Sequence, residues 1–231
     1  MNNIIAIIPA RGGSKRIPKK NIKYLCGKPL IQYTIESALE SRFLDRIIVS
    51  TENEDIAKIS ENLGAEVIKR PDKLALDSTP TEDVVFDIIE YMKVNQNYIP
   101  ETIVLLQPTS PFRTRDDIDN AIENFRNSKC ESLISVTEYD HSPYWSFKIK
   151  GGFLKSIFGG KKFLRSQELP KLFRPNGAIF IIKTNTFFKY RSFYTKLMTP
   201  FIMSYESSID IDDEFDFLLS EFIIKNKEKK V

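Results

Sequence analysis

The chain has 231 residues, 42% of them apolar and 28% charged, and 34 Lys and Arg against 31 Asp and Glu leave a formal charge of +3. That length builds one or two domains with a real core, and the near-balanced, apolar-rich composition excludes disordered, collagen-like and low-complexity classes. Cys26, Cys130 and the single His141 exclude a disulfide scaffold, a CxxC redox motif and a Cys/His zinc centre, nothing near His141 has the form of a nucleophile elbow, and a reducing cytoplasmic setting is expected.

At the N-terminus Met1, Asn2 and Asn3 supply no basic region, and the apolar run that follows stops at Pro9, so no secretory leader is expected. No later window approaches 18 apolar residues, so no membrane span is expected either. Residues 4–8 form an unbroken apolar run of strand length, and 46–51, 65–69, 101–107 and 132–137 repeat it. Amphipathic helices fall between them. Pro29 opens one, with Ile31, Ile35, Ala38 and Leu39 on a face. Ile56, Ile59 and Leu63 mark a second, stopped by Gly64. A third carries a capping-box pattern of Thr79, Pro80 and Glu82, then a stripe of Val84, Val85, Ile88, Ile89 and Met92. Thr114 caps a fourth, with Asp116 and Asp117 in its first turn. Continuous apolar strands alternating with helices predict an α/β fold with a doubly wound, mostly parallel sheet.

The alternation breaks near residue 139. Residues 145–149 and 153–157 flank Lys150-Gly151-Gly152 as a hairpin, and 158–174 is basic and aperiodic. Residues 178–183 and 201–205 return to strand character. A last helix places Phe215, Leu218, Leu219, Phe222 and Ile223 on one side, ahead of a charged tail at 225–230. One domain over 1–231, with a β-rich excursion at about 139–175, accounts for this order.

The charges are unevenly placed. Seven basic residues and no acid lie between Arg11 and Lys28, directly after the first strand, where open α/β sheets bind ligands. Arg11-Gly12-Gly13-Ser14-Lys15 has the composition of a phosphate loop, although it is neither a Walker A loop nor GxGxxG. A solvated basic loop is the plain alternative. A nucleic-acid surface is disfavoured, because Tyr24 is the stretch's only aromatic platform. Six acids and no base lie between Glu206 and Asp216. In a strand-like extension Asp210 and Asp212 share a face and suit a hard cation such as Mg²⁺, while an acidic helix start explains Asp213 and Glu214 and remains open for the other two.

Four blocks resemble one family: residues 7–21 (IIPARGGSKRIPKKN), 106–114 (LQPTSPFRT), 173–179 (FRPNGAI) and 208–212 (SIDID) are similar, in order, to the CMP-sialic acid synthetases, the acylneuraminate cytidylyltransferases. The related KDO cytidylyltransferases lack the GGSKRIPKKN character. The resemblance implies a Rossmann-like nucleotidyltransferase. It would transfer CMP from CTP to the anomeric hydroxyl of a nine-carbon 2-keto sugar acid, such as N-acetylneuraminate, legionaminate or pseudaminate, and release pyrophosphate with Mg²⁺ as cofactor. By motif, Arg11, Gly12, Ser14, Lys15, Lys20, Asn21, Arg70 and Asp77 would bind CTP, with Arg11 and Lys20 also catalytic. Asp210 and Asp212 would be catalytic and hold the metal, and Gln107 and Asn176 would face the sugar. The excursion resembles a dimerisation arm, so a homodimer is implied whose sites are completed in trans by Lys162, Arg165 and Arg174 around the sugar carboxylate. The alternatives are a nucleotidyltransferase of this fold using another sugar or base, and a catalytically inactive nucleotide-binding regulator.

Overall fold

The first strand, β1 (Ile4–Pro9), is apolar on both sides, and both sides are covered: Ile4, Ala6 and Ile8 face one helical layer, Ile5 and Ile7 the other. The fold comes from a computed structural model, which describes residues 3–158 and 165–228. After β1 come a two-residue hairpin, β2 (Tyr24–Leu25) and β3 (Lys28–Pro29), then α1 (Leu30–Leu39), β4 (Arg46–Thr51), α2 (Glu54–Asn62) and β5 (Glu66–Lys69). Next are α3 (Thr81–Gln96), β6 (Thr102–Leu106), α4 (Arg115–Asn127) and β7 (Ser132–Glu138). A separate hairpin, β8 (Phe147–Lys150) and β9 (Phe153–Ser156), precedes β10 (Phe173–Lys183), α5 (Thr184–Tyr190), β11 (Met198–Ile202) and α6 (Glu214–Glu228).

Seven strands make the main sheet in the order β5-β4-β1-β6-β10-β7-β11. β10 runs antiparallel to both neighbours and the other pairings are parallel. The expected doubly wound, mostly parallel α/β sheet is therefore observed. Helices α1, α2 and α4 bury one face and α3 and α5 the other. The chain leaves β1 toward β4 and β5, then returns to β6 on the opposite side, so the crevice between the ends of β1 and β6 is the switch point of the sheet. A third cluster, Ile17, Leu25, Leu30, Ile211 and Phe217, ties the segment after β1 to α6. Among the described residues no helix is long and apolar enough to cross a membrane.

Local chemistry explains most boundaries. Thr114 and Asp117 form a reciprocal capping box on α4. Gly64, at φ 95°, closes α2 by donating to Glu61 while Ala65 donates to Ser60. The expected cap at Thr79 does not form. Pro80 is extended (ψ 140°) and α3 begins one residue later without a side-chain cap, leaving Thr79 outside the helix. The strand expected at 201–205 lies at Met198–Ile202, where Pro200 is tolerated because β11 is an edge strand. Residues 209–212, read as a strand-like extension, lie outside any strand because no neighbouring strand reaches them. α6 turns Phe217 and Ser220 inward, while Phe215, Leu218 and Phe222 stay exposed. The hairpin at Gly151-Gly152 is as expected, with φ 60° and 79°. Unexpected were α5 and the β2–β3 hairpin, whose turn places Cys26 and Gly27 at φ 45° and 85°.

Candidate active site

A cavity of about 500 Å³ opens at the carboxyl ends of β1, β5 and β6. The segment after β1 contributes Arg11, Ser14, Lys15, Arg16, Lys20 and Asn21, and Arg70 follows β5. Leu76, Asp77 and Thr79 come from the approach to α3, Gln107, Pro108 and Thr109 from the end of β6, and Asp212 from the approach to α6. Segments far apart in sequence thus converge at the switch point.

The cation loop is fixed from beneath. The Gly12 N–H donates to Glu52 Oε1 at 2.6 Å. A Cβ at Gly12 would lie 2.8 Å from Asn53 Nδ2 and 2.9 Å from Asn53 Cβ, so glycine is required here by close approach. Asn53 is itself held, since its Oδ1 caps α2 by accepting from the Ile56 N–H at 3.0 Å. Asn21 is buried and donates to the Arg11 carbonyl at 2.9 Å, closing the loop on itself. Lys20 donates to the Ile211 carbonyl at 2.7 Å and lies 3.5 Å from Asp212, which also pairs with Arg16 at 3.1 Å. From the other wall Asp77 pairs with Arg11, and with Lys15 at 2.5 Å; these contacts, Lys15 foremost, hold its carboxyl below the usual range. Arg70 is buried and donates to the Ser50 carbonyl at 2.8 Å, with burial lowering its pKa against the opposing charge of Glu52.

The carboxylate pair straddles a buried residue. Ile211 inserts into the third cluster and its N–H donates to the Thr109 carbonyl at 2.8 Å, leaving Asp210 and Asp212 on either side. Burial pushes the Asp210 carboxyl up. The Thr109 hydroxyl and Lys20 offset part of that rise, and the charge of Asp212 adds to it. Asp210 Oδ1 and Thr109 Oγ1 are both shut off from solvent, and the hydroxyl faces the carboxyl without reaching full hydrogen-bond geometry. Gly177, at φ 76°, sits against this group: a Cβ there would meet Gln107 Oε1 at 3.3 Å and Asp210 Oδ2 at 3.8 Å.

The remaining candidates are not in this cavity. Asn176 is buried in the interior of the sheet. Its Oδ1 accepts from Ser135 Oγ at 2.5 Å and the Ala178 N–H at 3.1 Å, and its Nδ2 donates to Ser208 Oγ and the Met203 sulfur. That leaves its amide no free group for a ligand. Arg174 lies on β10 opposite Thr137, and the exposed Arg165 directs its N–H to Glu168. Lys162 lies outside the described residues. In the excursion Trp145 is half-buried, Phe147, Phe153 and Phe158 are exposed, and Phe163 lies outside the described residues. Among the described residues no group of three or more His, Cys, Asp or Glu is placed to hold a metal.

A family model described as Cytidylyltransferase matches residues 5–227. The chain belongs to that family. Among relatives, N-acylneuraminate cytidylyltransferase of Streptococcus agalactiae serotype III is 35% identical over 236 residues, covering 98% of this chain and 56% of the relative. CMP-N,N'-diacetyllegionaminic acid synthase of Legionella pneumophila is 36% identical over 228 residues, with 96% of each chain covered. Pseudaminic acid cytidylyltransferase of Campylobacter jejuni is 30% identical over 223 residues, again with 96% of each covered. The chain spans about half the length of the streptococcal relative and nearly all of the other two. Among solved structures, CMP:2-keto-3-deoxy-manno-octonic acid synthetase complexed with CTP superposes with a TM-score of 0.72 at 16% identity, over 97% of this chain and 99% of that one, and so shares the fold.

Three residues of the candidate site escaped the sequence reading. Arg16 was counted only in the basic run, yet it lines the cavity and pairs with Asp212. Glu52 takes the Gly12 N–H. Arg113 is 2% exposed directly behind Gln107. The first two carried a usable signal, a cation in a phosphate loop and an acid at a strand end on the ligand side of the sheet. Arg113 lies in the 106–114 block but was given no role, because two of its three partners are backbone carbonyls.

Proposed function

We propose that the protein transfers CMP from CTP to the anomeric hydroxyl of a nine-carbon 2-keto sugar acid. The observation that carries this reading is the convergence of Arg11, Lys15, Arg16 and Lys20 on one cavity that Asp212 and Gln107 also line. The acceptor class follows from three relatives named for nonulosonic acids. The anomeric oxygen forms a bond to the α-phosphorus, the bond from that phosphorus to the bridging oxygen breaks, pyrophosphate leaves, and the hydroxyl proton is released. Such transfer needs charge neutralisation and in-line positioning more than a covalent partner.

The chain's own residues fit those needs. Arg11, Lys15 and Lys20 would exchange their carboxylate partners for the triphosphate, and Lys20, anchored at Ile211, would keep a cation on the leaving pyrophosphate. Ser14, Asn21 and Arg70 would frame the nucleotide, Gly12 would allow the close approach of the loop, and Asp77 would hold the cations apart until CTP arrives. Gln107, beside Gly177, would orient the sugar acid. The buried, unpaired Asp210 Oδ1 beside Asp212 fits a hard divalent cation, and these two residues would hold Mg²⁺ with phosphate oxygens completing its shell. Bound there, the ion would supply Lewis-acid charge stabilisation at the α-phosphate. A cytoplasmic reaction, drawing on the CTP pool there, goes with this reading.

The whole chain would then act as one domain with an inserted arm at about 139–175, in a homodimer whose arms complete the neighbouring sites. Support comes from the β8–β9 hairpin, which exposes Phe147, Ile149, Phe153 and Leu154. It comes also from Arg165 and Arg174, which lie outside their own chain's cavity. The test is incubation with CTP, Mg²⁺ and each of N-acetylneuraminate, legionaminate and pseudaminate, with pyrophosphate release and mass spectrometry of the product. A CMP-sugar with one of them is expected. CTP turnover with none, or product with another nucleotide or sugar only, overturns the reading.

A further inference from the structure

The antiparallel ladder between β6 and β10 stops one rung short of the active site. Its last pair is Leu106 with Ile179, and the next would be Gln107 with Ala178. On the other side of β10 the pairing with β7 shifts between Pro175 and Phe180, which marks a bulge. The bulge is satisfied toward β7 by side chains. Asn176 accepts from Ser135 and from the Ala178 N–H, and Ser135 accepts from the Ile179 N–H at 2.7 Å. Toward β6 it is satisfied by one guanidinium. Arg113 Nη1 donates to the Gln107 carbonyl at 3.1 Å and to the Ala178 carbonyl at 2.8 Å, and Nη2 donates to Thr34 Oγ1 at 2.6 Å.

We propose that Arg113 is a positioning residue for the acceptor side of the site, standing in for the missing rung and fixing Gln107 and Gly177 relative to one another. The inference rests on the function proposed above. Arg113 is 2% exposed, so it meets neither substrate nor solvent and acts through the backbone it holds. Two consequences of the clamp reach the cavity. Pinning the Gln107 carbonyl inward leaves the Gln107 side chain toward Gly177 and the cavity. Pinning the Ala178 carbonyl holds the residue next to Gly177, whose positive φ brings the backbone close to Gln107 Oε1 and Asp210 Oδ2. The same loop presents Thr109, whose carbonyl accepts from Ile211, so the clamp also supports the segment carrying the two aspartates. Among the described residues no carboxylate hydrogen-bonds to this guanidinium. Burial lowers its pKa to about 9, with Asp117 opposing, so the chain retains a costly buried cation at this junction.

A planar fork with several fixed donors can hold two carbonyls and a hydroxyl at once, whereas an ammonium cannot reproduce that geometry. The test is R113K, with R113M as a second variant, read as separate KM values for CTP and for the sugar acid. Thermal unfolding and hydrogen exchange are followed alongside. In R113K the KM for the sugar acid should rise about tenfold, with that for CTP within about twofold. Exchange should accelerate in peptides covering 105–112 and 175–180. A role confined to stability would lower Tm and leave both KM values at wild-type levels when assayed well below it. That result, or an equal rise in both KM values, overturns the inference while the wild-type protein still makes product. Should R113M fail to fold, the KM split of R113K decides alone. A wild-type protein that uses no nonulosonic acid would instead overturn the functional reading, and the acceptor-side role with it.

Discussion

Arg11, Lys15, Arg16 and Lys20 each have a carboxylate within ion-pairing distance, and their loop is closed on Asn21, Glu52 and the Ile17 cluster. Among the described residues the β8–β9 hairpin, by contrast, pairs with no other strand, and Ile149, Phe153 and Leu154 stand in solvent. The first region is finished by cations, acids and apolar support from its own sheet ends. The arm is less finished: it buries Leu169 and half-buries Trp145 but leaves the apolar side of its hairpin exposed. In the reading proposed above, the first region would decide what is bound and the second would complete the site.

The largest expected effect breaks the finished side. Asp212 is exposed and pairs only with Arg16 and Lys20, so Asp212→Ala should leave thermal unfolding nearly unchanged. Turnover should nevertheless fall about a hundredfold or more, because several kcal/mol of charge stabilisation would be lost with the metal. Full activity in a folded variant would remove the carboxylates from the mechanism. Next, Arg11→Ala and Lys20→Ala should each raise the KM for CTP about tenfold while moving that for the sugar acid by about twofold or less. The reverse pattern would place the loop on the acceptor side. Lys20→Ala should also loosen the approach to α6, because the 2.7 Å bond to Ile211 goes with it, and faster amide exchange at 209–213 would show this.

The unfinished side is tested by mixing subunits. Arg165→Ala and Asp212→Ala should each be nearly inactive alone. After exchange, about half the dimers are heterodimers with one intact composite site of two, so about one-quarter of wild-type activity should return. Absence of recovery despite proven exchange would return Arg165 to its own chain, and a monomer by light scattering at assay concentration would end the comparison.

What could be read ahead of the structure follows the physics of each feature. The parallel strands were legible because both faces are buried, which writes an unbroken apolar run such as 4–8 into the chain. The cap at Thr114 is local and was recovered, and the structure adds the reciprocal bond from Asp117. The capping-box pattern at Thr79 failed because Pro80 stays extended, which residue type alone does not reveal. The alternation around Ile211 was legible, but the strand expected from it does not form, since strand formation depends on a neighbour. α6 carries apolar residues on more than one side, so periodicity could not choose Phe217 over Phe215. Arg113 was the hardest case: its partners at Gln107 and Ala178 are carbonyls, which every residue has, and they adjoin only through the bulge.

The smallest expected effect concerns a residue that belongs to the finished side and yet is unpaired. Asp210 is half-buried with Oδ1 lacking a partner, and its carboxyl is raised above the usual range, chiefly by burial. A carboxyl whose folded pKa exceeds its unfolded one contributes most below the unfolded value and loses that contribution as pH rises through the folded value. At pH 7 the ionised side chain therefore weighs against folding. Asp210→Asn removes that charge, and its amide can donate to the unpaired Thr109 oxygen. The variant should unfold a few degrees higher than wild type at pH 7, and the gap should close on acidification below about pH 4, where Asp210 is neutral in both states. Mg²⁺ should reverse the order. An ion held by Asp210 and Asp212 stabilises the folded wild type by mass action and has one ligand fewer in the variant, so millimolar Mg²⁺ should raise the wild-type Tm more than that of Asp210→Asn. Equal shifts in the two proteins would leave the buried carboxylate without a ligand and would place the metal, if the reaction needs one, on Asp212 and the phosphates alone.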